Sequence, residues 1–301
     1  MASNQNIPKP VKFAFGGISG MGATVVVQPL DLLKNRMQLS GEGGAARAHR
    51  TVFHAGLSVL KSEGVSGLYK GLSAGLARQI LYTTTRVGVY TTLFEKFSGP
   101  DGKPPGFFTK AGCALTAGAI GSFVGTPAEI SLIRMTADGG LPPEKRRNYK
   151  SVFNAISRIS KEEGVLTLWR GCGPTVGRAM VVNIAQLVTY SSAKEQLLAT
   201  GYFKDNVLCH FASSMISGLV TTIASMPVDI CKTRIQNMKV VNGVPEYKGA
   251  VDVFLKTVRN EGLFSLWKGF TPYYARLGPH TVIMFLLLEK LNKTYVNVFV
   301  K

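Results

Sequence analysis

The sequence predicts an all-α membrane protein, a threefold-repeat bundle of six transmembrane helices with three short amphipathic helices at one face. Three observations predict it. Two unrelated motifs each recur three times with one period, apolar stretches flank every copy, and excess basic charge falls in one set of loops.

The repeat comes first because it fixes everything after it. Pro29-Leu30-Asp31-Leu32-Leu33-Lys34 recurs as Pro127-Ala128-Glu129-Ile130-Ser131-Leu132 and as Pro227-Val228-Asp229-Ile230-Cys231-Lys232, with the prolines 98 and then 100 residues apart. A second string recurs in step: Glu63-Gly64 with Leu68-Tyr69-Lys70-Gly71, Glu163-Gly164 with Leu168-Trp169-Arg170-Gly171, and Glu261-Gly262 with Leu266-Trp267-Lys268-Gly269. The chain therefore reads as one domain, 1-301, made of repeats 8-98, 106-200 and 204-298.

Each repeat opens with a small-residue-rich apolar stretch running into the proline motif: Val11–Gln38, Phe107–Thr136 and Asn206–Gln236. Each closes with another after the second string: Leu72–Phe97, Cys172–Leu198 and Phe270–Val296. A span takes about 20 residues at about 1.5 Å rise, so all six are long enough. The pairs Gly16 and Gly20, Ala114 and Gly118, Ser214 and Gly218 stand at equivalent places and permit close helix contact. Between the two stretches of each repeat, Val52–Lys61, Val152–Lys161 and Val251–Asn260 are amphipathic and predict helices lying along the membrane surface.

Charge orients the bundle. Leu32–Lys70, Ile130–Arg170 and Ile230–Lys268 each carry a net charge of +4, while the short connections Glu95–Phe107 and Lys194–Asn206 are neutral. Positive loops face the inner compartment, which puts the long loops and both termini on opposite sides. The charged share of 17% is low for a soluble domain, yet mean hydropathy is only +0.15, so the spans must carry polar residues facing a cavity.

A net charge of +18 points to an anionic partner. No zinc-finger, basic-zipper or ribonucleoprotein motif accompanies it, so nucleic acid is not expected. Cys113, Cys172, Cys209 and Cys231 are scattered, which predicts free thiols and no metal site. No phosphate loop, dinucleotide fingerprint or nucleophile elbow occurs, so neither an enzyme nor a cofactor is expected. The first fifteen residues hold Lys9 and Lys12 but no Arg and no signal core, so targeting is expected to be internal.

The Pro-x-acid-x-x-base motif, the Glu-Gly and aromatic-base-Gly strings and their period together resemble the mitochondrial carrier family, over nearly the whole chain. The resemblance implies a multi-pass protein of the mitochondrial inner membrane, functional as a monomer, with matrix-side amphipathic helices and termini toward the intermembrane space. It also implies a secondary antiporter working by alternating access. Gln28–Gln38, Gly71–Arg86 and Phe270–His280 are most similar to members exchanging dicarboxylates, 2-oxoglutarate for malate. A carrier of another anion, or a proton-leak protein of the uncoupling type, would fit the same fold.

Proline bends a helix and draws three helix ends together. Asp31 and Lys34 share one helix face and could pair locally. The resemblance implies instead that the acid of one repeat meets the base of the next: Glu129 with Lys232 and Asp229 with Lys34, while Asp31 faces Leu132, where the family has a base. That gives a matrix gate of two bridges, with Gln38 and Gln236 at bracing positions and Thr136 replacing the third. The cytosolic gate positions of the family fall on Thr91 with Lys194, Ser191 with Asn292, and Glu289 with Phe94, none of them an ion pair.

Seven residues beyond each motif glycine stand Arg78, Arg178 and Arg276. One such arginine could snorkel to the headgroups; three at equal depth can instead converge and grip carboxylates with paired N–H groups. The resemblance implies the same substrate contacts. An asymmetric substrate is discriminated where the repeats differ, which nominates Gln79, Tyr82, Arg86 and Gln186. His280, after Pro279, reads rather as a structural hydrogen-bonding residue. The free amides after the aromatic-base-Gly strings suit an anionic lipid headgroup, cardiolipin by resemblance, or the aromatics simply anchor at the interface.

Overall fold

The structure is a computed structural model that describes residues 8–41, 51–98, 106–142, 144, 146–202, 206–238, 240–241 and 244–300. The charge counts above also cover residues 42–50, 99–105, 143, 145, 203–205, 239 and 242–243, which lie outside the described residues.

Each repeat is a long helix, a short helix and a second long helix. Repeat 1 contains α1 (Lys9–Leu39), α2 (Val52–Gly67) and α3 (Leu72–Phe97). Repeat 2 contains α4 (Phe107–Asp138), α5 (Val152–Glu162) and α6 (Cys172–Ala199). Repeat 3 contains α7 (Val207–Asn237), α8 (Ala250–Glu261) and α9 (Phe270–Tyr295). Among the described residues the strand pairing is a two-residue ladder, β1 (Val240–Val241) with β2 (Val244–Pro245). The six long helices close into a ring in the order α1, α3, α4, α6, α7, α9, with α9 returning to α1.

The motif glycines explain why the strings recur. Gly71, Gly171 and Gly269 precede α3, α6 and α9 with φ of 84°, 80° and 84°. Gly64, Gly164 and Gly262 sit at 69°, 93° and 84°. L side chains are strained there, so both turns of every repeat demand glycine. Between them the motif leucine packs into the core. Leu168 buries against Ile130 and Ile159, and Leu266 against Ile230 and Val253. These residues seat each short helix on the first helix of its repeat. Thr51 and Ser151 cap α2 and α5 by accepting from the His54 and Asn154 amides.

Gly20, Gly118 and Gly218 each face the second long helix of their own repeat, at Gln79, Asn183 and Leu277. By length and apolar composition alone, one helix among the described residues qualifies to cross a membrane, Leu208–Asn237. The other long helices dilute their hydropathy with residues such as Arg78, Arg86 and Arg178, which face the interior of the ring.

Candidate functional site

The C-terminal halves of α1, α4 and α7 meet and are almost wholly buried. There Lys232 Nζ lies 2.6 Å from Glu129 Oε1. Lys34 pairs with Asp229, the two side chains only 9% and 3% exposed. Both pairs join different repeats; the local Asp31–Lys34 pair is not formed. Gln38 Nε2 donates to Asp229 Oδ2 at 2.9 Å, and Thr233 Oγ1 donates to Gln38 Oε1 at 2.9 Å. Gln236 departs from its expected bracing position. Its side chain lies against Gly171 and donates to Thr175 Oγ1 at 3.2 Å. Thr136 accepts from Asn35 Nδ2 at 3.1 Å. Asp31 pairs with Arg276, and Leu132 is buried in a core cluster with Ala74 and Met135.

Sequence reasoning missed a second ring at the same end. Arg36, Arg134 and Arg234 each pair with the acid of their own Glu-Gly string, Glu63, Glu163 and Glu261. Arg36 Nε also donates to the Thr136 carbonyl at 3.0 Å, Arg134 Nε to that of Gln236 at 3.1 Å, and Arg234 Nε to that of Gln38 at 3.4 Å. Those carbonyls lie in the last turns of α4, α7 and α1, where helix acceptors lack partners and cations are favoured. Each repeat thus caps a helix of the next, in a closed cycle. The signal was available: an arginine stands seven residues after every motif proline. Burial raises the three glutamates, and the guanidinium with the string's own base (Lys70, Arg170 or Lys268) overcomes it, holding each carboxyl below the usual range.

Inside the ring a cavity of about 350 Å³ is lined by Arg78, Arg178 and Arg276, together with Gln79, Tyr82, Arg86 and Gln186. All three arginines reach the motif acids. Arg78 Nη1 is 3.8 Å from Glu129 Oε1, and Arg178 Nε is 2.6 Å from Asp229 Oδ1, while Arg276 holds Asp31. Gln79 Nε2 donates along its own helix to Thr83 Oγ1 at 3.2 Å, and Arg86 lies over the Tyr82 ring at 6.0 Å. His280 lines the cavity and makes no hydrogen bond among the described residues, contrary to the structural role expected.

Tyr273 is the principal omission. It is 5% exposed, its Oη accepts from Arg178 Nη2 at 2.9 Å, and Lys34 Nζ stands 4.5 Å from its ring centroid. Arg178 and Arg276 lie 5.9 and 5.8 Å from the same centroid. One aromatic ring thus gathers cations from three helices, α1, α6 and α9. Tyr273 stands three residues before Arg276, where the other repeats have Gly75 and Thr175. The disagreement among the three repeats at this position is the signal in the sequence that marks it.

At the opposite end of the bundle, Thr91 turns back onto the Val87 and Gly88 carbonyls of its own helix, at 3.0 and 2.9 Å. Glu289 pairs with Lys293 one turn on, at 2.7 Å, 44% exposed. Asn292 Oδ1 is buried without a hydrogen-bond partner among the described residues, and Ser191 and Lys194 are each partnered. A separate outer groove of about 430 Å³ runs between the starts of α2 and α9, lined by Val52, Phe53, Lys268 and Phe270.

A threefold ring with the proline and glycine motifs in every repeat, closed at one end around three arginines, defines a solute carrier. The family profile described as "Mitochondrial carrier protein" matches residues 5–100, 103–200 and 203–299, and the chain belongs to the mitochondrial carrier family. It is 68% identical over 292 residues to the mitochondrial 2-oxoglutarate/malate carrier protein of Homo sapiens, covering 97% of this chain and 93% of the relative. It is 64% identical to the protein of that name in Caenorhabditis elegans, covering 100% and 98%. Mitochondrial uncoupling protein 5 of Arabidopsis thaliana is 44% identical, covering 94% and 97%.

Proposed function

We propose that the protein is an antiporter exchanging 2-oxoglutarate for malate across the mitochondrial inner membrane by alternating access. The observation that carries this reading is the charge of the cavity floor. Arg78, Arg178, Arg276, Lys34 and Lys232 face Asp31, Glu129 and Asp229, a surplus of two positive charges before Arg86 is counted. A dicarboxylate supplies two negative charges. A cavity of about 350 Å³ has the room of about ten waters, enough for a short diacid with part of its hydration shell. The names of the Homo sapiens and Caenorhabditis elegans relatives support the same pair of substrates.

In this reading the six long helices span the bilayer, their outward faces carrying exposed apolar side chains such as Val26, Ile120, Ile223 and Phe285. The closed end faces the matrix and the termini face the intermembrane space. Repeats 8-98, 106-200 and 204-298 act as one monomeric unit. Arg78, Arg178 and Arg276 bind the two carboxylates; Gln79, Tyr82, Arg86, Gln186 and Tyr273 orient the chain between them. Glu129 is shared between Lys232 and Arg78, and Asp229 between Lys34 and Arg178. A carboxylate arriving on an arginine therefore withdraws one counter-ion from a gate acid, linking occupancy to the matrix gate. The outer groove, with Lys268 beside the start of α9, suits an anionic lipid headgroup such as cardiolipin.

The test is uptake of labelled 2-oxoglutarate into proteoliposomes loaded with malate. Unlabelled malate and 2-oxoglutarate outside should compete, and nucleotides should not. Uptake that needs no internal diacid would overturn antiport. The uncoupling-type reading, which the Arabidopsis thaliana relative favours, predicts a proton leak without diacids.

A further inference from the structure

The aromatic-base-Gly strings hold both tryptophans of the chain, and neither the cavity nor the gate pairs use them. Trp169 Nε1 donates to the Phe123 carbonyl at 3.2 Å, and Trp267 Nε1 donates to the Ile223 carbonyl at 3.0 Å. In an α-helix the N–H of each residue donates to the carbonyl four positions earlier, and proline has no N–H. Pro127 and Pro227 lie inside α4 and α7, so the acceptors they strand are those of Phe123 and Ile223. Each indole therefore delivers its donor to the carbonyl that its own repeat's proline has left unpartnered. Trp169 also packs on the Phe123 ring, centroids 5.8 Å apart at 30°.

We infer that Trp169 and Trp267 are positioning residues of the gate, each replacing the backbone donor that proline removed and fixing its helix at the bend. Glu129 and Asp229 stand two residues beyond those prolines, so the bend sets where the gate acids meet Lys232 and Lys34. The functional half of this inference rests on the gate reading above; the tie itself does not. Repeat 1 differs. Tyr69 takes the aromatic position, its ring carries no N–H, and it makes no side-chain hydrogen bond among the described residues. Pro29 thus lacks the tie, on the helix whose Asp31 faces no gate base.

The tie is tested in the full-length protein by Trp267→Phe in two backgrounds, the parent and Pro227→Ala, where a backbone N–H returns to residue 227. In the parent, the substitution should lower Tm by about 2–4 °C, the shift one net hydrogen bond gives in a chain of this size. In Pro227→Ala the loss should be clearly smaller. An equal loss in both backgrounds overturns the tie. In the parent background, exchange at saturating substrate should fall several-fold with KM little changed, and unchanged turnover overturns the positioning role. If Trp267→Phe fails to fold, benzothienylalanine at 267 keeps the ring shape without the N–H and carries the same expectations. Ultraviolet resonance Raman of Trp169→Phe should show a hydrogen-bonded indole at Trp267, and a free indole N–H there likewise overturns the tie. The gate reading is judged separately, by Leu132→Lys.

Discussion

Asp31 on α1 holds the guanidinium of Arg276 on α9, whereas Glu129 and Asp229 each hold a lysine and an arginine at once. The difference traces to one residue. Leu132 stands at the motif position where the other repeats carry Lys34 and Lys232, and the ion-pair partner of Asp31 is Arg276. Between α1 and α4 the contact near this level is the neutral one of Asn35 with Thr136, and the ion pair that joins repeats 1 and 2 runs instead from Arg78 to Glu129.

Leu132→Lys supplies the missing base. Asp31 then shares its charge, the matrix gate gains a third bridge, and the cavity floor gains a cation. A bridge of this kind contributes up to about 1 kcal/mol when partly wet and more when dry. Exchange at saturation should fall by about fivefold or more for that energy if it must be broken in each cycle. Leu132→Met should leave turnover near the parent value. Equal turnover in the lysine variant and the parent would argue against a gate here.

Arg276→Ala removes a carboxylate contact and leaves Asp31 buried without its cation. A charged hydrogen bond contributes about 1.5–3 kcal/mol, so exchange should drop by about 10–150-fold, and likewise for Arg78→Ala and Arg178→Ala. Yield and membrane insertion should be retained. Tyr273→Phe should give a milder loss, because the ring still faces Lys34, Arg178 and Arg276 while only the Arg178 hydrogen bond is removed. Near-parental uptake in Arg276→Ala vesicles would remove this arginine from the site.

Much of the fold was legible because the repeat imposes one solution three times. The Glu-Gly string marks the end of each short helix and the aromatic-base-Gly string the start of each second long helix, and the glycines fall at left-handed φ for a local reason that sequence carries. The arginines were legible because a buried cation at equal depth in three repeats needs a shared purpose. What escaped were contacts that depend on approach between repeats. Nothing in the string Gln236-Asn237 says that its carbonyl meets Arg134, or that its amide turns to Thr175. Tyr273 escaped because its importance comes from cations on two other helices, Lys34 of α1 and Arg178 of α6, which join Arg276 of its own helix around the ring.

The outer ring of charge makes a pH prediction. Glu63, Glu163 and Glu261 have folded pKa values below their ordinary value of 4.5. A depressed carboxyl contributes stability that is present above its unfolded pKa and lost as pH falls through its folded value. Tm should therefore fall once pH drops below about 4.5. Glu261→Gln leaves Arg234 and Lys268 without their acid, and should cost about 2 kcal/mol at neutral pH, about 4–8 °C in Tm. In exchange, its Tm should decline less steeply below pH 4.5 than the parent's. Parallel Tm profiles across that window would exclude Glu261 as a contributor.

Charge movement separates the proposed exchanger from its relatives by a single measurement. At neutral pH 2-oxoglutarate and malate are both dianions, and each neutralises the same two-charge surplus on the cavity floor. One-for-one exchange then carries no net charge across the membrane. A potential set by a potassium gradient with valinomycin should leave exchange rates in both directions unchanged. One uncompensated charge would instead bias the reaction by about 2.3 kcal/mol per 100 mV, close to fiftyfold in the ratio of the two directions. A bias of that size would mean that a proton moves with one substrate or that the substrates differ in charge. Repeating the measurement with a pH gradient and no potential distinguishes the two, because only proton coupling responds to it. An absence of response in both settings is the result expected of a dicarboxylate antiporter.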